Sequence, residues 1–140
     1  MPFGLEKARG ETGRTPGEVD YRLARQAVIS EYRKGRLARH DVCDAHPELL
    51  RAARNIGEES SQRCPICDDA KVVLVTYVFG PKLPANGRCV TTTAEMQRLT
   101  RGGGDRVAYV VEVCPGCRWN HLARTFPLGR AASPRSAPSG

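Results

Sequence analysis

At 140 residues the chain fits one domain that can bury only around two-thirds of its unfolded surface, so a staple, whether metal or disulfide, matters to its stability. The formal net charge of +7 is spread along the chain with no basic block, which suits solubility and weak attraction to polyanions but specifies no site. The N-terminal stretch has no apolar signal core and the longest apolar run, Val72 to Phe79, is far too short to span a bilayer; the expectation is a cytoplasmic protein with no membrane partner.

Residues 1–15 and 128–140 are polar or rich in Gly, Ser and Pro, and read as disordered tails. One folded domain is expected over 16–127, with a helical part (16–57) and a cysteine-bearing part (58–127). The first predicted helix runs from about Pro16 to Lys34, with Thr15 as cap, Glu18 completing a capping-box spacing and Gly35 as the stop. Tyr21, Ala24, Val28 and Tyr32 recur at helical steps and give it an apolar stripe. The second helix is "HPELLRAARNIG": His46 caps, Pro47 opens the first turn, Leu49, Leu50, Ala53 and Ile56 face inward, and Gly57 ends it. Residues 58–63 read as a polar link.

Beyond Cys67 the pattern changes to strands. "KVVLVTYVFG" (71–80) is apolar on both faces, "RVAYVVEVC" (106–114) is the second strand and "WNHLARTF" (119–126) the third. An insert (80–105) separates the first two and carries a short helix at 93–101, opened by Thr92 and Glu95 in capping-box spacing. Its Gly run, "RGGGD", has no helix after it and reads as a turn, not a phosphate cradle.

The chemistry lies in "RCPICDD" (63–69) and "VCPGCRWNH" (113–121). Cys-x-x-Cys pairs serve metal binding, thiol redox chemistry or disulfide frameworks. A reducing cytosol disfavours structural disulfides, and the oxidoreductase motif needs a helix after its pair, whereas strands follow both pairs here. An eight-residue strand spans roughly 26 Å, so an antiparallel return through the insert brings Cys114 back beside Cys67. Two such turns let four thiolates close a tetrahedron with Zn–S distances near ~2.3 Å. Cys64, Cys67, Cys114 and Cys117 are therefore the candidate ligands of one structural Zn2+. Four sulfurs leave no open position for water, so the site is not catalytic. The expected fold is α+β: an N-terminal helix pair followed by a zinc-ribbon-like three-stranded antiparallel sheet with a helical insert.

Around the knuckles, Pro65 and Pro115 rigidify the turns, and Gly116 is expected to take a positive φ. Asp68 and Arg118 occupy matching places and are expected to face each other across the site. Trp119 is expected to shield the second knuckle, and His121 to be a packed strand residue hydrogen-bonded nearby. His40, Cys43 and His46 form H-x-x-C-x-x-H, but a fourth ligand is missing; Cys43 reads as a small buried thiol beside a helix cap, and Cys89 as an ordinary half-buried one.

The combination of "VCDAHPELLRAA" (42–53), "CPIC" (64–67), "VTYVFG" (75–80) and "VVEVCPGCRWNHL" (110–122) resembles an actinobacterial family of small uncharacterised zinc-ribbon-like proteins, domain of unknown function 5318. The resemblance covers about residues 18–129, and "CxWNHL" is its most specific element. It implies a shared zinc-ribbon-like fold with the same four cysteines as ligands, and no activity. The family pattern more usually has Asn at the place of His46, which argues against His46 as a ligand.

No Ser/His/Asp set or paired-carboxylate arrangement is apparent, so a non-enzymatic protein with no small-molecule substrate is expected. The leading expectation is a structural-zinc module that docks onto nucleic acid or a nucleic-acid-associated protein through Lys82, Arg88, Arg98 and Arg101 of the insert. A protein–protein adaptor and a redox-responsive zinc switch are the alternatives.

Overall fold

Apolar residues at consecutive positions in "KVVLVTYVF" require cover on both faces of a strand, and the fold supplies it. The computed structural model describes residues 17–101 and 105–128. Among them the order is β1 (Val19–Asp20), α1 (Arg22–Arg33), α2 (Arg39–Val42), α3 (Pro47–Ile56), β2 (Glu58–Arg63), β3 (Lys71–Phe79), β4 (Arg88–Val90), α4 (Thr93–Arg101), β5 (Val107–Val113) and β6 (Asn120–Pro127). The fold is α+β, with a six-stranded antiparallel sheet in the order β1-β6-β5-β3-β2 and β4 also paired to β3. Val72, Val73, Val75, Thr76 and Val78 of β3 are all buried.

The sheet thus has six strands instead of the three expected. The three predicted strands are present and adjacent, as β6, β5 and β3. The additions come from segments without apolar alternation. "EESSQR", expected as a link, is the end strand β2; it pairs Glu58 with Leu74, Glu59 with Val73 and Arg63 with Lys71, with an irregularity between Glu59 and Arg63. Ser60 Oγ donates to Val72 O (2.8 Å) inside that irregularity. A polar, bulged strand at a sheet edge resists pairing with other chains. β4 matches Val90, Cys89 and Arg88 to Thr76, Tyr77 and Val78.

The chain divides into two compact units. Unit 2 comprises 20–75 and 110–123, and so holds α1 to α3 together with both cysteine pairs. Unit 1 comprises 1–19, 76–109 and 124–140, and so holds the insert with β4 and α4.

In unit 2, α1 starts at Arg22, later than expected. The N-cap residue Tyr21 makes no side-chain cap bond, and Asp20 Oδ1 accepts the Arg22 N–H (2.8 Å), satisfying one free amide of the first turn. The expected Thr15–Pro16 start, the tails 1–15 and 129–140, and Gly102–Gly104 lie outside the described residues. The helix ends as predicted at Gly35, whose φ of +80° suits a position after a helix C-terminus. Its inward face is rotated from the expected stripe: Ala24 is exposed, whereas Ile29 is buried and Arg25 half-buried. Ile29, Val42, Cys64, Val72, Cys114 and Trp119 form one buried cluster, with Val28, Tyr32, Leu37 and Ile66 packed against it.

In α3 the predicted cap is in place: His46 Nδ1 accepts the Glu48 N–H (3.0 Å), and Leu50 and Ala53 are buried. Gly57 ends the helix, and β2 starts at the next residue. A Cβ at Gly57 would lie 2.2 Å from Val73 Cγ1 and 2.8 Å from Ala53 O.

Unit 1 keeps the predicted helix α4 at Thr93–Arg101, with Glu95 N–H donating to Thr92 Oγ1 (3.1 Å). The Glu95 carboxylate accepts from Thr91 N–H (3.2 Å) and Arg88 Nε (2.5 Å), which ties β4 to α4. Phe79 and Tyr109 meet edge to face at 5.0 Å. Leu128, expected in the tail, is buried and donates its N–H to Arg106 O (3.0 Å).

The close approach at Gly57 gives a direct test. Gly57→Ala should destabilise the protein by about 1–3 kcal/mol through overpacking against Val73, read as a lowered denaturant midpoint.

Candidate metal centre

Each Cys-Pro-x-Cys turn closes by two backbone bonds, of which the one back to the first cysteine carbonyl has the same spacing in both. Cys64 N–H donates to Ala70 O (2.8 Å) and Asp68 N–H to Cys64 O (3.0 Å); in the second turn Cys114 N–H donates to Trp119 O (2.8 Å) and Arg118 N–H to Cys114 O (2.9 Å). Closing the turn this way puts the residue after the second cysteine in the left-handed region: φ is +54° at Asp68 and +77° at Arg118. The positive φ therefore falls there, not at Gly116. Asp tolerates this conformation better than most side chains, and Arg118 is compensated by its contacts.

The turns aim amide groups at sulfur. Ile66 N–H (3.3 Å) and Cys67 N–H (3.5 Å) donate to Cys64 Sγ, and Cys117 N–H donates to Cys114 Sγ (3.4 Å). Across the two turns Cys64 and Cys117 Sγ are 3.6 Å apart, and Cys67 and Cys114 Sγ 3.7 Å. All four sulfurs lie within 4.8 Å of one another, with Cys64 and Cys114 buried and Cys67 and Cys117 half-buried. A tetrahedron with metal–sulfur bonds of ~2.3 Å has edges of about 3.8 Å, so these four atoms fit a thiophilic ion.

The electrostatics fit as well. Burial pushes the Cys64 thiol up to about 11, and burial with the neighbouring Cys43 and Cys64 sulfurs pushes Cys117 well above its usual range. Burial also acts on Cys67, but the backbone N–H groups of Ala70 and Asp69 outweigh it and lower that thiol to about 7. Arg39 supplies positive charge nearby: desolvation would lower its guanidinium, yet its electrostatic interaction with the Cys117 and Cys43 sulfurs outweighs that and raises it.

Trp119 is fully buried in the cluster with Cys64 and Cys114 and is stacked on His121 at 5.8 Å. Its Nε1–H donates to Glu112 Oε2 (2.7 Å), and Arg25 Nε donates to Glu112 Oε1 (2.8 Å). This buried chain fastens α1 to the second knuckle. Removing Glu112 would leave a poorly solvated guanidinium without its partner.

His121 lies near the site but outside the thiol cluster, its Nδ1–H donating to Leu122 O (2.7 Å). Arg118 and Asp68 do not meet as expected. Arg118 Nη2 donates to Ala45 O (2.7 Å), while the Asp68 carbonyl accepts from Arg63 (3.4 Å). Lys82, Arg98 and Arg101 are exposed in unit 1, and Arg88 is paired with Glu95. Cys89 stands on β4, its thiol pushed up to about 11 by burial and Glu95.

Sequence reasoning missed how closely "VCDAH" docks on the second knuckle. Ala45 N–H donates to Arg118 O (3.0 Å), Asn120 Nδ2 to Asp44 Oδ1 (2.9 Å), and Cys43 Sγ lies 3.5 Å from Cys117 Sγ. The signal was present in the two most distinctive segments, 42–53 and 110–122, which contact each other. His40 is exposed and His46 is occupied as a cap, so H-x-x-C-x-x-H forms no site of its own.

Metal binding to thiolates of this kind contributes of order ~10 kcal/mol, comparable to the whole stability of a small domain. Cys114→Ser, or exhaustive chelation, should therefore remove the metal and unfold unit 2, read as lost hydrogen-exchange protection in α1 and α3. Affinity should also fall as pH falls, because protons compete for Cys64 and Cys117, and more steeply below about pH 7, where Cys67 also takes up a proton. Chelator competition across that range checks the slope.

No helix of the described residues is long and apolar enough to cross a membrane. The chain is 41% identical over 122 residues to the uncharacterized proteins Rv0049 of Mycobacterium tuberculosis (strain ATCC 25618 / H37Rv) and Mb0050 of Mycobacterium bovis, covering 87% of this chain and 88% of each relative. No solved structure matches it. The model of a family of unknown function, DUF5318, matches residues 14–139, and with the knuckles and their docked segment inside that span the chain belongs to this family.

Proposed function

We propose that this is a non-enzymatic structural-zinc protein that docks on nucleic acid or on a nucleic-acid-associated protein. One observation carries the structural part: four thiols lie within 4.8 Å of one another while Cys64 and Cys114 sit in the core cluster beside Ile29, Val72 and Trp119. An ion held there has four sulfur ligands and no vacant position for substrate or water. The adjacency of β3, β5 and β6, with a knuckle before β3 and another between β5 and β6, supports reading these strands as a zinc ribbon to which β1, β2 and β4 are added. Zinc is favoured because it suits a sulfur tetrahedron and adds no redox chemistry; sulfur-ligated iron is the competing occupant. Metal analysis of protein from its native host decides, and one iron with no zinc would overturn the assignment.

The docking part rests on three exposed residues, Lys82 in the turn after β3, at a φ of +68°, and Arg98 and Arg101 on α4. Arg88 contributes less, because Glu95 neutralises it. Phosphate contacts made by such side chains release counterions, so binding to DNA or RNA should weaken steeply with salt. Arg98→Glu with Arg101→Glu should abolish low-salt binding or flatten its salt dependence by about two contacts. Binding that is absent at low salt in the wild type, or unaltered by the double substitution, would shift the reading to a protein partner.

A further inference from the structure

A fifth thiol lies against the four-cysteine cluster, in contact with one of its members. Cys43 Sγ stands 3.5 Å from Cys117 Sγ, the same spacing as the 3.6 Å and 3.7 Å between members of the cluster. That is also close to the ligand–ligand edge of a sulfur tetrahedron, about 3.8 Å. The approach is held in place from both sides. Cys43 N–H is bonded to Arg39 O (2.8 Å), and the next two residues are tied to the second knuckle through Asp44–Asn120 and the reciprocal Ala45–Arg118 bonds. Cys117 itself is the more accessible member of its pair.

The geometry points to Cys43 as a reserve metal ligand that takes the Cys117 seat when that thiolate leaves, so that four sulfurs remain on the ion. This rests on the reading that the four-thiol cluster holds a thiophilic divalent metal. The exchange balances within the pair. The bond from Cys117 sulfur to the metal breaks, the bond from Cys43 sulfur forms, and the Cys43 S–H proton passes across the 3.5 Å contact to the departing Cys117 thiolate. No charge enters or leaves, and no oxidant is needed. The arrangement serves a centre that must transfer or retain its metal without a three-coordinate intermediate.

The test uses the full chain loaded with Co2+, whose absorption reports the number of sulfur ligands, and with Zn2+. Wild type should bind one ion through four sulfurs; if it binds none, the underlying metal reading fails and the exchange is not at issue. Cys117→Ser should keep one ion and a four-sulfur spectrum. The double variant Cys43→Ser with Cys117→Ser should lose the ion or drop to three sulfurs, while the control Cys114→Ser should lose the ion. Identical spectra for Cys117→Ser and the double variant would overturn the proposal. If Cys117→Ser does not fold, Cys43→Ser decides, because it keeps all four primary ligands and a hydrogen-bond donor to Cys117. It should release zinc to a chelator several-fold faster than wild type. An unchanged rate would mean that Cys43 is a hydrogen-bond donor only, and would sink the idea.

Discussion

Four sulfurs held within 4.8 Å of one another cannot all ionise unless a cation stands between them. That constraint governs unit 2. Two turns, each closed back onto its first cysteine carbonyl, place the sulfurs, amide groups point at Cys64 and Cys114, and Arg39 adds positive charge from the start of α2. The burial that raises Cys64 and Cys117 is the same burial that seats Ile29, Val72 and Trp119 around them. A thiol cluster and a hydrophobic core here occupy one volume, so an ion that satisfied the sulfurs would also fix the packing. For a short chain with limited area to bury, this is an effective use of a metal.

From the second knuckle the order spreads to the helices. Arg118 in its left-handed turn exchanges bonds with Ala45, Asn120 holds Asp44, and Arg54 reaches Pro115 O (3.3 Å). The Arg25–Glu112–Trp119 chain does the same for α1. The helical part is thus anchored to the cysteine-bearing part through polar groups whose partners are far away in sequence. Such bonds gain strength where water is excluded, and become costly if only one partner remains.

Unit 1 is organised differently. Its insert depends on the Arg88–Glu95 pair, the Thr92 cap and the edge-to-face contact of Phe79 with Tyr109. Arg106 Nη1 also donates to Leu99 O (3.0 Å) in the last turn of α4. No cysteine of the cluster belongs to this unit.

The sequence by itself determined the elements that carry a local signal. The spacing of the two cysteine pairs, the His46 cap with Pro47, the Thr92 cap of α4 and the apolar run of β3 all appear in the structure where their chemistry places them. Tertiary structure decided what has no local signature. β2 is a strand because β3 offers it free backbone groups, although "EESSQR" has no alternation to announce it. The inward face of α1 turns to Arg25 and Ile29 because Glu112 and the thiol cluster set its orientation. Arg118 bonds the docked Ala45 carbonyl, a partner that no local pattern in the sequence announces. Cys43 reads in sequence as a small buried thiol beside a helix cap; 74 residues separate it from Cys117, and only the folding of one segment onto the other brings its sulfur against the four-cysteine cluster.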